Sequence, residues 1–220
     1  MSRWVMTTLT CGLAIMASLA DVEAASGAAA LSYRVERNEF DVSTGAIQEQ
    51  PRRGLAIEVP EVRAVLRVRT AQAAALHFTY LGPTAGSKPL ASGEVRRQLG
   101  LKLRARDSCN VVYVMWHIAP DEKIAVSVKR NPGQRTHAEC GAHGYTNIRP
   151  HRALPVSPLV PGVSRTLRVD LRGTDLTVQV DDATVWEGSL PAEIAAFDGP
   201  VGLRSDNVRF LFEYYVPGPS

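Results

Sequence analysis

Residues 166–216 read TLRVDLRGTDLTVQVDDATVWEGSLPAEIAAFDGPVGLRSDNVRFLFEYYV. Leu167, Val169 and Leu171 alternate with Arg168, Asp170 and Arg172 before a turn at Gly173, and the alternation resumes in "LTVQV" up to a "VDD" turn at Asp181 and Asp182. Period-2 patterning bounded by Gly and Asp predicts half-buried strands rather than helices. A short "VWEG" strand, a helix-like link at "LPAEIAAF", the segment "GPVGLRS" and a terminal "VRFLFEYYV" strand complete the stretch.

The same spacing runs outward through the chain. "LSYRVER", "GLAIEV", "AVLRVRT", "ALHFTYLG", "RQLGLKLRA", "NVVYVMWHI" and "IAVSVKRN" are short, alternating or β-branched, and separated by Gly, Pro, Asp or Asn. Apart from "LPAEIAAF", only "AQAAAL" is a helical candidate, equally compatible with a turn into a strand, and no period of 20 to 50 residues recurs, which argues against propellers and solenoids. Side chains of a strand point alternately to its two faces. Val112, Val114, Trp116 and Ile118 therefore share one face, and Val111, Tyr113, Met115 and His117 the other. The flanking strands divide in the same way, with Leu99, Leu101, Leu103, Ile124, Val126 and Val128 inward and Lys102, Arg104, Ser127 and Lys129 outward. Three consecutive strands with one apolar face predict an all-β, two-sheet antiparallel β-sandwich. Trp116 belongs to its core.

The closing stretch resembles the C-terminal half of the concanavalin A-like lectin and glucanase jelly roll, laminin G-like domains included. It is also similar to bacterial 3-keto-disaccharide hydrolase domains, in which a comparable hairpin precedes a "GpvGLrs" strand. Asp182 stands where those domains usually carry Gly, which leaves the turn type open. With "LSYRVER" returning to pair with the last strand, the resemblance covers residues 31–216 as one jelly-roll domain. It implies carbohydrate binding on a sheet face or its rim, and in some members cleavage of glycosidic bonds. Retaining hydrolysis needs two carboxylates about 5 to 5.5 Å apart, and the alternating acidic strand of jelly-roll glucanases is missing here. Asp121 with Glu122, and Asp181 with Asp182, fall in turns. The arginine-rich and Gln-x-His strands of jelly-roll alginate lyases are missing too, so no catalytic residue carries over.

At the other end, Arg3 precedes a mostly apolar run, and "SLADVEAAS" offers cleavage after Ala20, Ala24 or Ala25. Residues 1–25 thus read as an export signal, directing the chain to the periplasm, cell surface or medium. The run is diluted by Thr7, Thr8, Thr10 and Gly12 and falls short of the roughly 18 apolar residues of a membrane span, so no stable span is expected after cleavage. The chain has 25 Lys and Arg against 22 Asp and Glu, scattered singly. Without a basic block, a nucleic-acid partner is not indicated. Beyond Cys11, the cysteines Cys109 and Cys140 read as a disulfide in an exported chain. The competing reading is zinc on His137, Cys140 and His143 of "HAECGAH".

Two places are candidates for ligand binding. One is the outward face carrying Lys102, Arg104, Tyr113, His117 and Lys129, an aromatic among donors, for which the alternative reading is a solvated sheet face. The other is the long connection KRNPGQRTHAECGAHGYTNIRPHR, residues 129–152, since connections of this length in compact domains are functional or disordered. There Tyr145 would stack on a sugar ring, with Asn147, Glu139 and Arg130 as polar partners. The expectation is a secreted, non-catalytic module for a polysaccharide, an anionic one given the basic outward face. A sugar-acting enzyme of the 3-keto-disaccharide hydrolase class and a structural or protein-interaction domain of the envelope stay open. No cofactor is expected, although Asp and Asn oxygens in turns leave calcium at a sandwich edge open.

Overall fold

Alternation becomes strand along most of the chain. The computed structural model describes Met1 and residues 30–67 and 72–218, so the export signal read in residues 1–25 lies, apart from Met1, outside the described residues. The strands are β1 (Tyr33–Arg34), β2 (Phe40–Thr44), β3 (Gln48–Gln50), β4 (Gly54–Ile57), β5 (Glu61–Leu66), β6 (Ala73–Pro83), β7 (Arg97–Leu103) and β8 (Val111–Ala119). They continue with β9 (Lys123–Lys129), β10 (Tyr145–Asn147), β11 (Arg152–Ala153), β12 (Ser164–Arg172), β13 (Asp175–Val180), β14 (Ala183–Ser189), β15 (Gly202–Asp206) and β16 (Val208–Val216). One sheet runs β11-β14-β13-β12-β6-β16-β4-β3, with β1 beside β16; the other runs β10-β9-β8-β7-β15-β5-β2. All pairings are antiparallel.

The two inner faces enclose one apolar core. Leu99, Leu101, Leu103, Val112, Val114 and Trp116 of the seven-stranded sheet meet Phe78, Phe210, Phe212 and Tyr214 of the other. Phe78 stands edge-on to Trp116 at 5.9 Å, and Phe40 to Tyr214 at 5.5 Å, a geometry that adds about 0.5 to 1.5 kcal/mol per pair beyond area burial. Trp116 is fully buried, as its alternation requires.

Of the two readings of "AQAAAL", its described residues take the turn into a strand: Ala74, Leu76, Phe78 and Tyr80 alternate into the core from β6, which is paired on both sides by β12 and β16. Tertiary pairing here overrides the helix propensity of alanine. "LPAEIAAF" does become a short 3₁₀ turn, Ala192–Ala196, with Ile194 buried. The first strand returns to the last in the pairing Tyr33 with Val216. The β13–β14 hairpin closes through Asp181 and Asp182, both with positive φ (48° and 66°). A type I′ turn requires that conformation at both central residues, and Asp is among the residues that adopt it. Strands β2 and β3 escaped the period-2 reading, being short and largely polar on the outside.

Candidate functional site

The outer face of the seven-stranded sheet is not an open solvated surface. Across it, register places Tyr113 beside Lys102, His117 beside Gln98, Gln98 beside Asp206, Arg204 beside Arg63, and Asp206 beside Glu61. Of these, Gln98, Lys102, Tyr113, His117, Arg204 and Asp206 are each at most 9% exposed. The cover comes from two loops. Together floor and loops enclose a groove of about 680 Å³, within the usual range for small-ligand sites.

One loop, between β6 and β7, is pinned by Asn207, whose side-chain amide donates to the carbonyls of Lys88 and Arg96 and accepts from the Lys88 N–H at 2.7 Å. Asn207 has φ 56°, a left-handed conformation that Asn tolerates better than most residues. The other loop joins β9 to β10 and is fixed by the Cys109–Cys140 disulfide. Asn110 donates to the Gln134 carbonyl at 2.9 Å, and Asn131 donates to those of Cys109 and His143. Gly144 (φ 78°) closes that loop where a Cβ would lie 2.5 Å from the Arg130 carbonyl oxygen. Beneath it the Lys129 ammonium, only 1% exposed, donates to the carbonyls of Ser108 and Gly141 and to Cys140 Sγ. Burial, then the nearby Arg204 charge, lowers its affinity for a proton.

Charge on the floor is organised around Asp206. Its carboxylate accepts from Arg63 Nη2 at 2.6 Å, Gln98 Nε2 at 2.6 Å and Arg204 Nε at 3.0 Å. Burial acts to raise its pKa, but Arg204, Arg63 and Gln98 outweigh it and hold the carboxyl below its ordinary range. Glu61 pairs with Arg63 and with Lys88. Arg204 lies over the Tyr113 ring at 5.1 Å and reaches the Tyr145 hydroxyl at 3.4 Å, while Tyr113 stacks on Tyr145 at 6.0 Å. Burial, with Tyr145 beside it, pushes the Tyr113 phenol up to about 12. His117 is pushed down to about 4 by burial and by Arg96 and Lys123, so it is neutral near pH 7.

Of the residues singled out in the sequence, Lys102, Tyr113, His117, Lys129, Tyr145 and Asn147 line this groove. Arg104, Arg130 and Glu139 do not. Arg104 lies just past the end of β7, where φ turns to 47° and the guanidinium bonds Gln72, so extrapolating the strand's alternation to it fails. Arg130 is exposed one residue beyond β9. Glu139 caps the four-residue helix His137–Cys140, accepting from the N–H groups of Arg135 and Thr136. With Cys140 in a disulfide, the zinc reading loses its thiolate, and no three of His, Cys, Asp and Glu cluster for a metal among the described residues. Sequence reasoning missed Arg63, Gln98, Arg204 and Asp206. The parity of "GLRSD", with Arg204 and Asp206 on one face, was the available signal.

No family model matches the chain, and no curated protein matches it in sequence. Solved structures do match in shape. Carbohydrate binding module CBM66 from Bacillus subtilis is 13% identical with a TM-score of 0.55, over 79% of this chain and 91% of that one. The carbohydrate recognition domain of Emp46p, in a metal-free form, is 10% identical with a TM-score of 0.52, over 83% and 90% of the two chains. These likenesses show the fold, a concanavalin A-like jelly-roll sandwich.

Proposed function

We propose that the chain is an exported, non-catalytic carbohydrate-binding module whose groove takes an anionic polysaccharide. The observation that carries this reading is the groove's composition: Arg63, Lys88, Arg96, Lys102, Lys129 and Arg204 against Glu61 and Asp206, with the half-exposed ring of Tyr145 at its rim. Aromatic faces pair with the apolar faces of sugar rings, and a site with excess cations in partly buried surroundings favours anions. Both carboxylates are engaged by basic side chains, and Asp206 is held ionised, so it makes a poor proton donor for glycoside hydrolysis. The disulfide supports an oxidising compartment. The carbohydrate names of the two shape-matched structures point the same way.

The test is a broad glycan array at low salt, followed by Tyr145→Ala. Acidic polysaccharides are expected to bind, more weakly as salt rises, and Tyr145→Ala to weaken them further. A blank array, with protein captured from envelope extract instead, would turn the reading toward a protein-interaction domain.

A further inference from the structure

Lys102 is the one cation on the groove floor that the fold leaves unpaired among the described residues. It is 8% exposed, and among the described residues its ammonium has no hydrogen-bond or ion-pair partner. Buried cations are ordinarily paired, because an unpaired one forfeits its hydration without return. The candidate partner, Asp206, is already taken up by Arg63, Gln98 and Arg204. Gly202, its register neighbour on β15, puts no side chain beside it, and a Cβ there would lie 2.2 Å from the Ala64 carbonyl oxygen. Tyr113 flanks it on β8.

We infer that Lys102 is the anion-binding residue of the groove, its ammonium receiving a carboxylate or sulfate ester of the bound sugar beside the guanidiniums of Arg63 and Arg204. The inference rests on the carbohydrate reading above and goes further, naming the chemical group recognised and the residue that recognises it. Charge-assisted bonds to that ammonium then form only in the complex.

A consequence is proton uptake on binding. The charged and titratable groups around Lys102 are Glu61 and Arg63 on β5, Arg204 and Asp206 on β15, Tyr113 and His117 on β8, Lys129 on β9, Tyr145 on β10, Lys88 and Arg96 in one covering loop and His137 in the other. Burial, then Arg63 and Arg204, pushes the Lys102 ammonium down to about 7. A bound anion favours the charged form, so the complex takes up a proton above that value and affinity falls as pH rises, by about ten-fold from pH 6 to pH 8. His117, pushed down to about 4, is neutral across that window in the unliganded protein.

The experiment is calorimetric titration of the intact protein at low salt, at pH 6 and pH 8 in buffers of different ionisation enthalpy. The probes are an oligouronide, its carboxyl-reduced counterpart and a sulfated oligosaccharide. At least one anionic probe is expected to bind about ten-fold tighter at pH 6 with buffer-dependent heat, which also names the anion. Lys102→Arg should keep binding and lose the pH dependence; Lys102→Met should lose most of the affinity. The wild-type measurements stand even where a variant folds poorly. Equal affinity for the reduced oligosaccharide would overturn the anion seat and leave the carbohydrate reading standing. A pH dependence that survives in Lys102→Arg would assign the proton to another group and would equally overturn it. Binding of no probe would overturn both.

Discussion

The two faces of the seven-stranded sheet are almost equally shielded from water and have opposite chemistry. Leu99, Leu101, Val112, Val114 and Trp116 face the second sheet and are fully buried. One residue away along the same strands, Gln98, Lys102, Tyr113 and His117 are at most 9% exposed beneath two loops. The first face is closed by packing against the apolar side chains of the second sheet. The second is closed over a groove, with a buried Gln98 carbonyl oxygen lacking a partner and a lysine lacking a counter-ion. Low exposure alone therefore does not identify a core: among the described residues the first face leaves the neutral indole N–H of Trp116 without a hydrogen-bond partner, whereas the second leaves a charge without one, and it is the unpaired charge that marks a binding site.

Substitutions that strike one face and spare the other sharpen this contrast. Trp116→Ala should cost about 3 to 5 kcal/mol in chemical denaturation, from lost burial plus the cavity left behind. Below its unfolding transition the variant should still bind whatever the wild type binds. Asp206→Asn breaks the polar face instead: Arg204 loses its counter-charge and Arg63 is left with Glu61 alone, at about 3 to 5 kcal/mol, and ligand binding should fail with it. Since the Asp206 pKa is depressed in the fold, its contribution is present above the ordinary carboxylate range and disappears as pH falls through the folded value. The stability gap between wild type and Asp206→Asn should accordingly close below about pH 4.

Reducing the Cys109–Cys140 bridge, which spans 31 residues, should lower stability by about 3 to 4 kcal/mol on the chain-entropy account. Because it frees the loop that walls the groove, binding should weaken more than melting of the core suggests. The smallest expected effect has the opposite sign. Lys102→Met should stabilise the unliganded protein by on the order of 1 to 2 kcal/mol at pH 6, removing an unpaired buried cation. A lysine whose pKa is lowered in the fold carries a penalty that is full below about 7 and fades as pH rises toward 10.5, so the gain in Tm should shrink between pH 7 and pH 10.

These expectations draw on two kinds of information with different legibility in sequence. The sandwich was readable, because alternation in three consecutive strands and the Asp181–Asp182 turn are local signals. Half of the site was readable for the same reason: parity placed Lys102, Tyr113, His117 and Lys129 on one face. Arg63 and Arg204, however, join that face only through the pairing of β15 between β5 and β7, across about 140 residues of chain, and no local period encodes such a register. Arg104 shows the converse limit. Parity holds within a strand and lapses where the backbone turns, one residue past Leu103.

The central claim is that the outer face is a ligand site rather than a second, polar core, and heteronuclear NMR titration with an oligouronide at pH 6 and low salt tests it most directly. The account predicts saturable shifts confined to Gln98, Lys102, Tyr113, Tyr145 and Arg204 together with the two covering loops, while Leu101, Val114 and Trp116 stay in place. Shifts spread evenly over exposed lysines and arginines, with Lys102 silent, would contradict it.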